Sequence, residues 1–192
     1  MAGLARFHDF TRAMGALVSA ERGESEVLEA GAGLLRRLIS TDDWLPPAFA
    51  VPHPEYYRQY LLHRDAERRF SVVSFVWGPG QKTPVHDHTV WGLVGVMRGA
   101  ELCQRFDRDA AGALVAGETQ RLQPGDVDAV SPRIGDIHTV ANAFSDRVSV
   151  SIHVYGADIG AVRRHVFKPD RTIVEFVSGY ANAGPLDPAP RV

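Results

Sequence analysis

From Phe70 onward the chain is built of short β-branched and aromatic runs: FSVVSFVW, LVGVM, the stretch after Gly125, RVSVSIHVYG and TIVEFV. Between them stand GPGQ, RGA, AAGA, QPGD and SPRIGD, which are turn chemistry: glycine reaches backbone angles closed to other residues, and proline presets them. A chain that turns this often cannot hide its apolar surface in long helices. Many short strands bury it by closing into a β-sandwich or small barrel.

The first third reads differently. Leu4, Phe7, Phe10, Met14, Leu17 and Val18 recur at spacings of three and four, the period of an amphipathic helix. A second helix is predicted over 24–39, with Val27, Leu28, Leu34, Leu35 and Leu38 on one face. Pro46-Pro47 breaks the chain, and a short helix is expected around Pro54–Leu62, with Pro54 in its first turn. The tail, NAGPLDPAPRV, is rich in proline and glycine and is expected to be loosely ordered. The fold class is therefore mainly β, with an N-terminal layer of α-helices. The expected organisation is one domain over 1–192: a helical layer over 1–54, a barrel with its flanking helix over 55–178, and a tail over 179–192.

Net charge is −2, with acidic and basic residues well mixed, so bulk electrostatics recommend neither nucleic acid nor an anionic membrane as partner. The single cysteine, Cys103, cannot form an internal disulfide. No stretch approaches the ~18 apolar residues of a membrane span, and the N-terminus lacks the apolar core of a signal peptide. A cytoplasmic protein of unknown oligomeric state is the expectation.

His86-Asp87-His88 lies on or beside a predicted strand, where side chains two apart share a face and both imidazoles can converge on one ion. His138, just after a glycine-rich turn, is the candidate third ligand. His8, His53, His63 and His165 are read as ordinary surface or core histidines. Imidazole ligation alone admits Zn, Cu, Ni or Fe.

The setting of the three histidines resembles the two signatures of the cupin superfamily. The first is a glycine, five residues, then His-X-His; here Gly80, QKTPV, His86-Asp87-His88. The second is matched by Gly125, Pro132, Gly135, His138 and Asn142, with one extra residue in each of two gaps. The resemblance implies a cupin double-stranded β-helix holding a catalytic metal. Many cupins add a glutamate four or five residues after His-X-His, and here those positions are Gly92 and Leu93. Three neutral imidazoles leave a divalent cation with its full charge, which favours anionic ligands such as thiolate or carboxylate.

Ser149 to Tyr155 alternates strictly, with Ser149, Ser151, His153 and Tyr155 on one face and Val148, Val150, Ile152 and Val154 on the other. Such a strand ordinarily turns its polar face to water. The alternative is that the polar face lines the barrel, so that Ser151 orients His153 and His153 orients Tyr155 in a relay.

Three histidines with a Ser-X-His-X-Tyr strand resemble the thiol dioxygenase (cysteine dioxygenase) family over roughly residues 55–178. HDHTVWGLVGV and SIHVYG are the most specific segments. The resemblance implies Fe(II) at His86, His88 and His138, and Ser151, His153 and Tyr155 as catalytic relay. It also implies a small thiol carboxylate and O2 as reactants, with a sulfinate as product. Animal-type members carry a cysteine shortly after His-X-His, cross-linked to the tyrosine matching Tyr155. TVWGLVG has none, so no cross-link is expected and Cys103 is read as a core thiol. Those members grip the substrate carboxylate with an arginine where this chain aligns Gln59, with Arg58 next to it. Glutamine there resembles the bacterial branch favouring 3-mercaptopropionate, in which the carboxylate falls to an arginine matching Arg164, the neighbour of Arg163. The alternatives are cysteine as substrate, another three-His cupin dioxygenase that cleaves carbon–carbon bonds, and a non-catalytic small-molecule-binding cupin.

Overall fold

The computed structural model describes residues 2–20 and 22–186. Two helices lead, α1 (Ala2–Ser19) and α2 (Glu24–Ile39). Acidic Glu24 and Glu26 stand in the first turn of α2 and basic Arg36 and Arg37 in its last, each opposing the helix dipole. Phe7, Phe10, Met14 and Leu17 are buried, as are Val27, Leu28, Leu35, Leu38 and Ile39. Leu34 is only half-buried and Leu4 exposed, so the apolar stripe is narrower than its spacing predicts.

Eleven strands follow among the described residues: β1 (Arg58–Arg64), β2 (Ser71–Trp77), β3 (Val85–His86), β4 (Gly92–Arg98), β5 (Glu101–Arg108) and β6 (Leu114–Leu122). After them come β7 (Val127–Val130), β8 (His138–Asn142), β9 (Ser149–Tyr155), β10 (Arg164–Phe167) and β11 (Ile173–Phe176). One sheet runs β1-β2-β9-β4-β7 and the other β11-β10-β3-β8-β5-β6, with antiparallel pairing throughout. This is the mainly β architecture with a helical layer that the turn-punctuated runs predict.

The helices cover the outer face of the first sheet. Val72, Val76, Leu93, Met97, Val150, Ile152 and Val154 form one core with Phe7, Met14, Leu35 and Leu38. A Cβ at Gly95 would stand 3.0 Å from Leu35 and Ile39, so α2 seats directly against the β4 backbone. Fully burying each aliphatic side chain is worth about 1.5–3 kcal/mol, which makes this helix–sheet seam a main source of stability.

Two expectations need correction, and one hairpin was not foreseen. No helix forms around Pro54–Leu62: bends occupy 54–56, and β1 pairs with β2 from Arg58↔Val76 to Arg64↔Ser71. The local sequence suits a helix, but a free edge of β2 offers a full ladder of backbone hydrogen bonds, and tertiary pairing overrides propensity. The hairpin β5–β6 is absent from the sequence reading because β6 is almost wholly exposed and carries no apolar alternation. The tail is tied down as far as 186. Asn182 Nδ2 donates to Leu61 O (2.9 Å), its Oδ1 accepts from Leu61 N (2.8 Å), and Ala181 N donates to Gln59 O (2.9 Å). The rest of the expected tail, 187–192, lies outside the described residues. Among the described residues, no helix is long and apolar enough to cross a membrane.

Candidate metal centre

β3 and β8 are neighbours in register, with His86 opposite His138. His88 lies two residues beyond His86, in a turn held by Asp136, whose Oδ2 accepts from the backbone N–H of His88 (3.1 Å) and Thr89 (3.0 Å). That clamp holds Thr89 in the left-handed region (φ 59°), a conformation that costs energy for a β-branched residue. The three rings come together with centroids 4.8–4.9 Å apart, and one nitrogen from each lies within 4.8 Å of the others.

All three rings are buried, and that burial dominates their protonation. Desolvation lowers His86 to about 4, and lowers His88 and His138 well below the ordinary imidazole value. Neutral imidazole is the form that ligates a metal. The second nitrogen of each ring is already engaged. His86 Nδ1 donates to Pro84 O (3.1 Å) and His88 Nδ1 to Asp136 O (3.1 Å), while His138 Nδ1 sits 3.4 Å from Cys103 Sγ. Carbonyl acceptors force the proton onto Nδ1 and leave the Nε2 lone pair for a metal, the outer-partner arrangement common to metal-ligating histidines. The residues present fit a metal ion.

β9 puts its polar face inside the barrel. Ser151, His153 and Tyr155 are all buried, whereas Val150, Ile152 and Val154 pack beneath the helices. The solvent-facing reading is therefore wrong for this strand, because its two faces meet a helical layer and a barrel interior, and neither meets water. Ser151 Oγ lies 2.8 Å from His153 Nε2, and His153 Nδ1 lies 2.8 Å from Tyr155 Oη. Phe75 stacks on the His153 ring at 4.1 Å, and Tyr155 stacks on His88 at 5.5 Å. Burial lowers His153 to about 3 and pushes the Tyr155 phenol up, so both stay neutral.

Gly92 explains why no carboxylate follows His-X-His. A Cβ there would lie 2.8 Å from Tyr155 Cδ1 and 3.0 Å from Cε1, so the phenol ring fills the space a side chain would need. Gly92→Ala should displace the ring and cost about 1–3 kcal/mol, read as a lower Tm with metal uptake by the three histidines retained. Unchanged thermal unfolding would show that the ring yields freely.

Of the two adjacent arginines, Arg163 is exposed and paired with Glu175 (3.1 Å), while Arg164 is buried. Its Nη2 donates to Ser178 Oγ (2.6 Å), its guanidinium lies 4.7 Å from the Phe176 ring centroid, and its Nε has no partner. Among the described residues it forms no ion pair. Its charge acts on His86, His88, His153 and Tyr155, so it sits beside the histidine cluster. Burial lowers its own pKa. Gln59 stands opposite Phe75 on β2, and its Oε1 is buried without a partner. Arg58 bonds instead to Tyr60 Oη (3.0 Å).

Sequence reasoning missed Asp136, although an acid two residues before His138 was a usable signal. It also missed the contact between Cys103 and His138. Burial and the Asp128 carboxylate push that thiol up to about 12, so it stays protonated. His165, read as ordinary, pairs with Asp87 (2.8 Å) behind the His-Asp-His turn.

The chain has similarities to several solved structures and to one family model. Among solved structures, the chain is similar to an uncharacterized conserved protein with a double-stranded β-helix domain from Klebsiella pneumoniae. That match has 14% identity and a TM-score of 0.48, covering 70% of this chain and 97% of the other. It is also similar to a cupin superfamily protein from Desulfitobacterium hafniense, at 17% identity and a TM-score of 0.45, covering 62% and 94%. A protein from Thermus thermophilus matches at 19% identity and a TM-score of 0.45, covering 58% and 92%. The family model for cysteine dioxygenase type I matches residues 40–167, a span that contains all three histidines, the Ser-His-Tyr strand and Arg164. The chain belongs to the cysteine dioxygenase type I family.

Proposed function

We propose that the protein is an Fe(II)-dependent thiol dioxygenase that converts a small mercapto-acid, preferentially 3-mercaptopropionate, to its sulfinate. The balance is RSH + O2 → RSO2H: both oxygen atoms end on sulfur, which loses the four electrons that dioxygen gains, and no outside reductant is needed. Family membership and the three-histidine cluster support a metal-dependent thiol oxidation. Iron held by three neutral imidazoles would supply a centre of undiminished charge for thiolate and dioxygen.

The observation that carries the substrate reading is Arg164. A buried guanidinium with an unpartnered Nε and no carboxylate of its own is a costly arrangement unless a ligand supplies the anion. A carboxylate there would anchor one end of a short chain whose sulfur lies at the histidine cluster. Gln59 offers a neutral amide, so an α-ammonium group would find an acceptor there but no countercharge. Tyr155 Oη holds a proton at the edge of the cluster, oriented by His153 and Ser151. Its ring faces Gly92, where no thiol is available for a cross-link.

The test is oxygen uptake and sulfinate formation on iron-loaded protein with 3-mercaptopropionate, cysteine and cysteamine, for wild type and Arg164→Ala. Losing one partner of a buried charge pair costs about 2–5 kcal/mol. The mutant's kcat/KM for 3-mercaptopropionate should therefore fall at least ~30-fold with iron content unchanged. Cysteamine, which has no carboxylate, should be a poor substrate and indifferent to the change. Preference for cysteine would remove the substrate assignment but not the reaction. Inertness toward every thiol would remove both and favour another three-histidine cupin dioxygenase.

A further inference from the structure

Glu101 is fully buried at the start of β5. Its Oε1 is 3.1 Å from Ser149 Oγ, the Ser151 hydroxyl and the Trp77 indole also act on the carboxyl, and its Oε2 has no partner. The Trp77 indole N–H donates to Ser151 Oγ (3.3 Å). No Lys, Arg or His pairs with the carboxyl among the described residues, and the titratable groups that feel it are the Cys103 thiol and the Tyr155 phenol. Its neighbours in register are Asn142 on β8 and Leu122 on β6, both uncharged.

Two features favour the carboxylic acid form. A lone buried carboxylate carries a large desolvation cost, and burial pushes Glu101 up to about 7. Hydrogen counting agrees. Ser149 has one hydrogen but two oxygens in reach, Arg98 O (3.0 Å) and Glu101 Oε1 (3.1 Å). A protonated Glu101 satisfies both by donating to Ser149, which then donates to Arg98 O.

We propose that Glu101 is a positioning residue that sets the direction of the Ser151–His153–Tyr155 relay. With Glu101 neutral, the Ser151 hydrogen stays on His153 Nε2, His153 Nδ1–H donates to Tyr155 Oη, and the phenol hydrogen is free to point at the reacting atoms. With Glu101 ionised, one proton leaves for solvent and the carboxylate draws the Ser151 hydrogen to itself. His153 then carries its proton on Nε2, donating to Ser151, and its Nδ1 accepts from Tyr155. The phenol hydrogen is thereby withdrawn from the site. The consequence for turnover rests on the proposed function; the tautomer switch does not.

The decisive measurement is the His153 tautomer by 15N NMR on zinc-loaded, diamagnetic protein from about pH 5 to about pH 9, a range that brackets the Glu101 transition. Wild type should pass from Nδ1–H to Nε2–H near neutrality. Glu101→Gln cannot titrate and should hold one tautomer throughout, and Ser151→Ala should uncouple His153 in the same way. Stability supplies a second reading. A carboxyl raised in the folded state contributes fully below its unfolded value of 4.5, and that contribution is lost as pH rises toward about 7. The Tm of wild type should therefore fall relative to Glu101→Gln across that window. On iron-loaded protein, wild-type turnover should drop about tenfold per pH unit above the transition, as the neutral fraction does, and the drop should be absent in Glu101→Gln. One His153 tautomer across the whole range in wild type, or a switch that persists in Glu101→Gln, would overturn the proposal whether or not any thiol is oxidised.

Discussion

His86→Ala, His88→Ala and His138→Ala should each leave a folded protein that retains little of the iron it is loaded with. Each removes one of three lone pairs that the fold has already oriented, since the Nδ1 atoms are spoken for by Pro84 O, Asp136 O and Cys103 Sγ. Losing an outer hydrogen-bond partner of a ligand costs about 10- to 100-fold in metal affinity, so losing the ligand itself should cost more. Metal analysis after loading with one equivalent of iron reads the effect, and thermal unfolding controls for a cavity at a buried site. Full iron content in any of the three would take that residue out of the ligand set. Asp136→Ala is the informative companion, because it frees the His88–Thr89 turn without touching a ligand and should fall within the smaller range.

Tyr155→Phe is the second large effect, and it should separate cleanly from the first. The phenyl ring keeps its stack on His88 and its fit against Gly92, so iron content should stay at the wild-type level while the donor is gone. General acid–base groups typically contribute ~100- to 10,000-fold, and the loss should appear in kcat, whereas Arg164→Ala should act mainly through KM. His153→Ala added to Tyr155→Phe should then cost little more, because His153 acts through the phenol and coupled residues are not additive. Normal turnover in Tyr155→Phe would make the buried strand face structural only. Intact mass should show no loss of two hydrogens from a Cys–Tyr bond, since Cys103 lies against His138 and Gly92 against Tyr155.

How much was legible depended on how local the signal was. The five glycine-bounded runs are all strands, since alternation and turn chemistry act over a few residues. The two leading helices follow from a period of 3.6, with Leu4, Val18 and Leu34 sitting further out than predicted. His86 and His88 were readable because residues two apart on a strand share a face, and His138 because its setting resembles the second cupin signature. The face of β9 was not, because alternation says that two faces differ and never which one meets water. That was settled by α1 and α2 covering Val150, Ile152 and Val154. β1 and the β5–β6 hairpin were hidden for a related reason: an edge ladder is stabilised by its partner's backbone and leaves little trace in side-chain pattern. Local pattern carries the strand-rich architecture, the His-X-His pair and the Ser-His-Tyr spacing. It takes the packed molecule to show that Arg164 and not Arg163 is buried, that Tyr155 occupies the space beside Gly92, and that Glu101 is buried against Ser149. Those three facts depend on contacts across strands distant in sequence, and no window along the chain contains both partners.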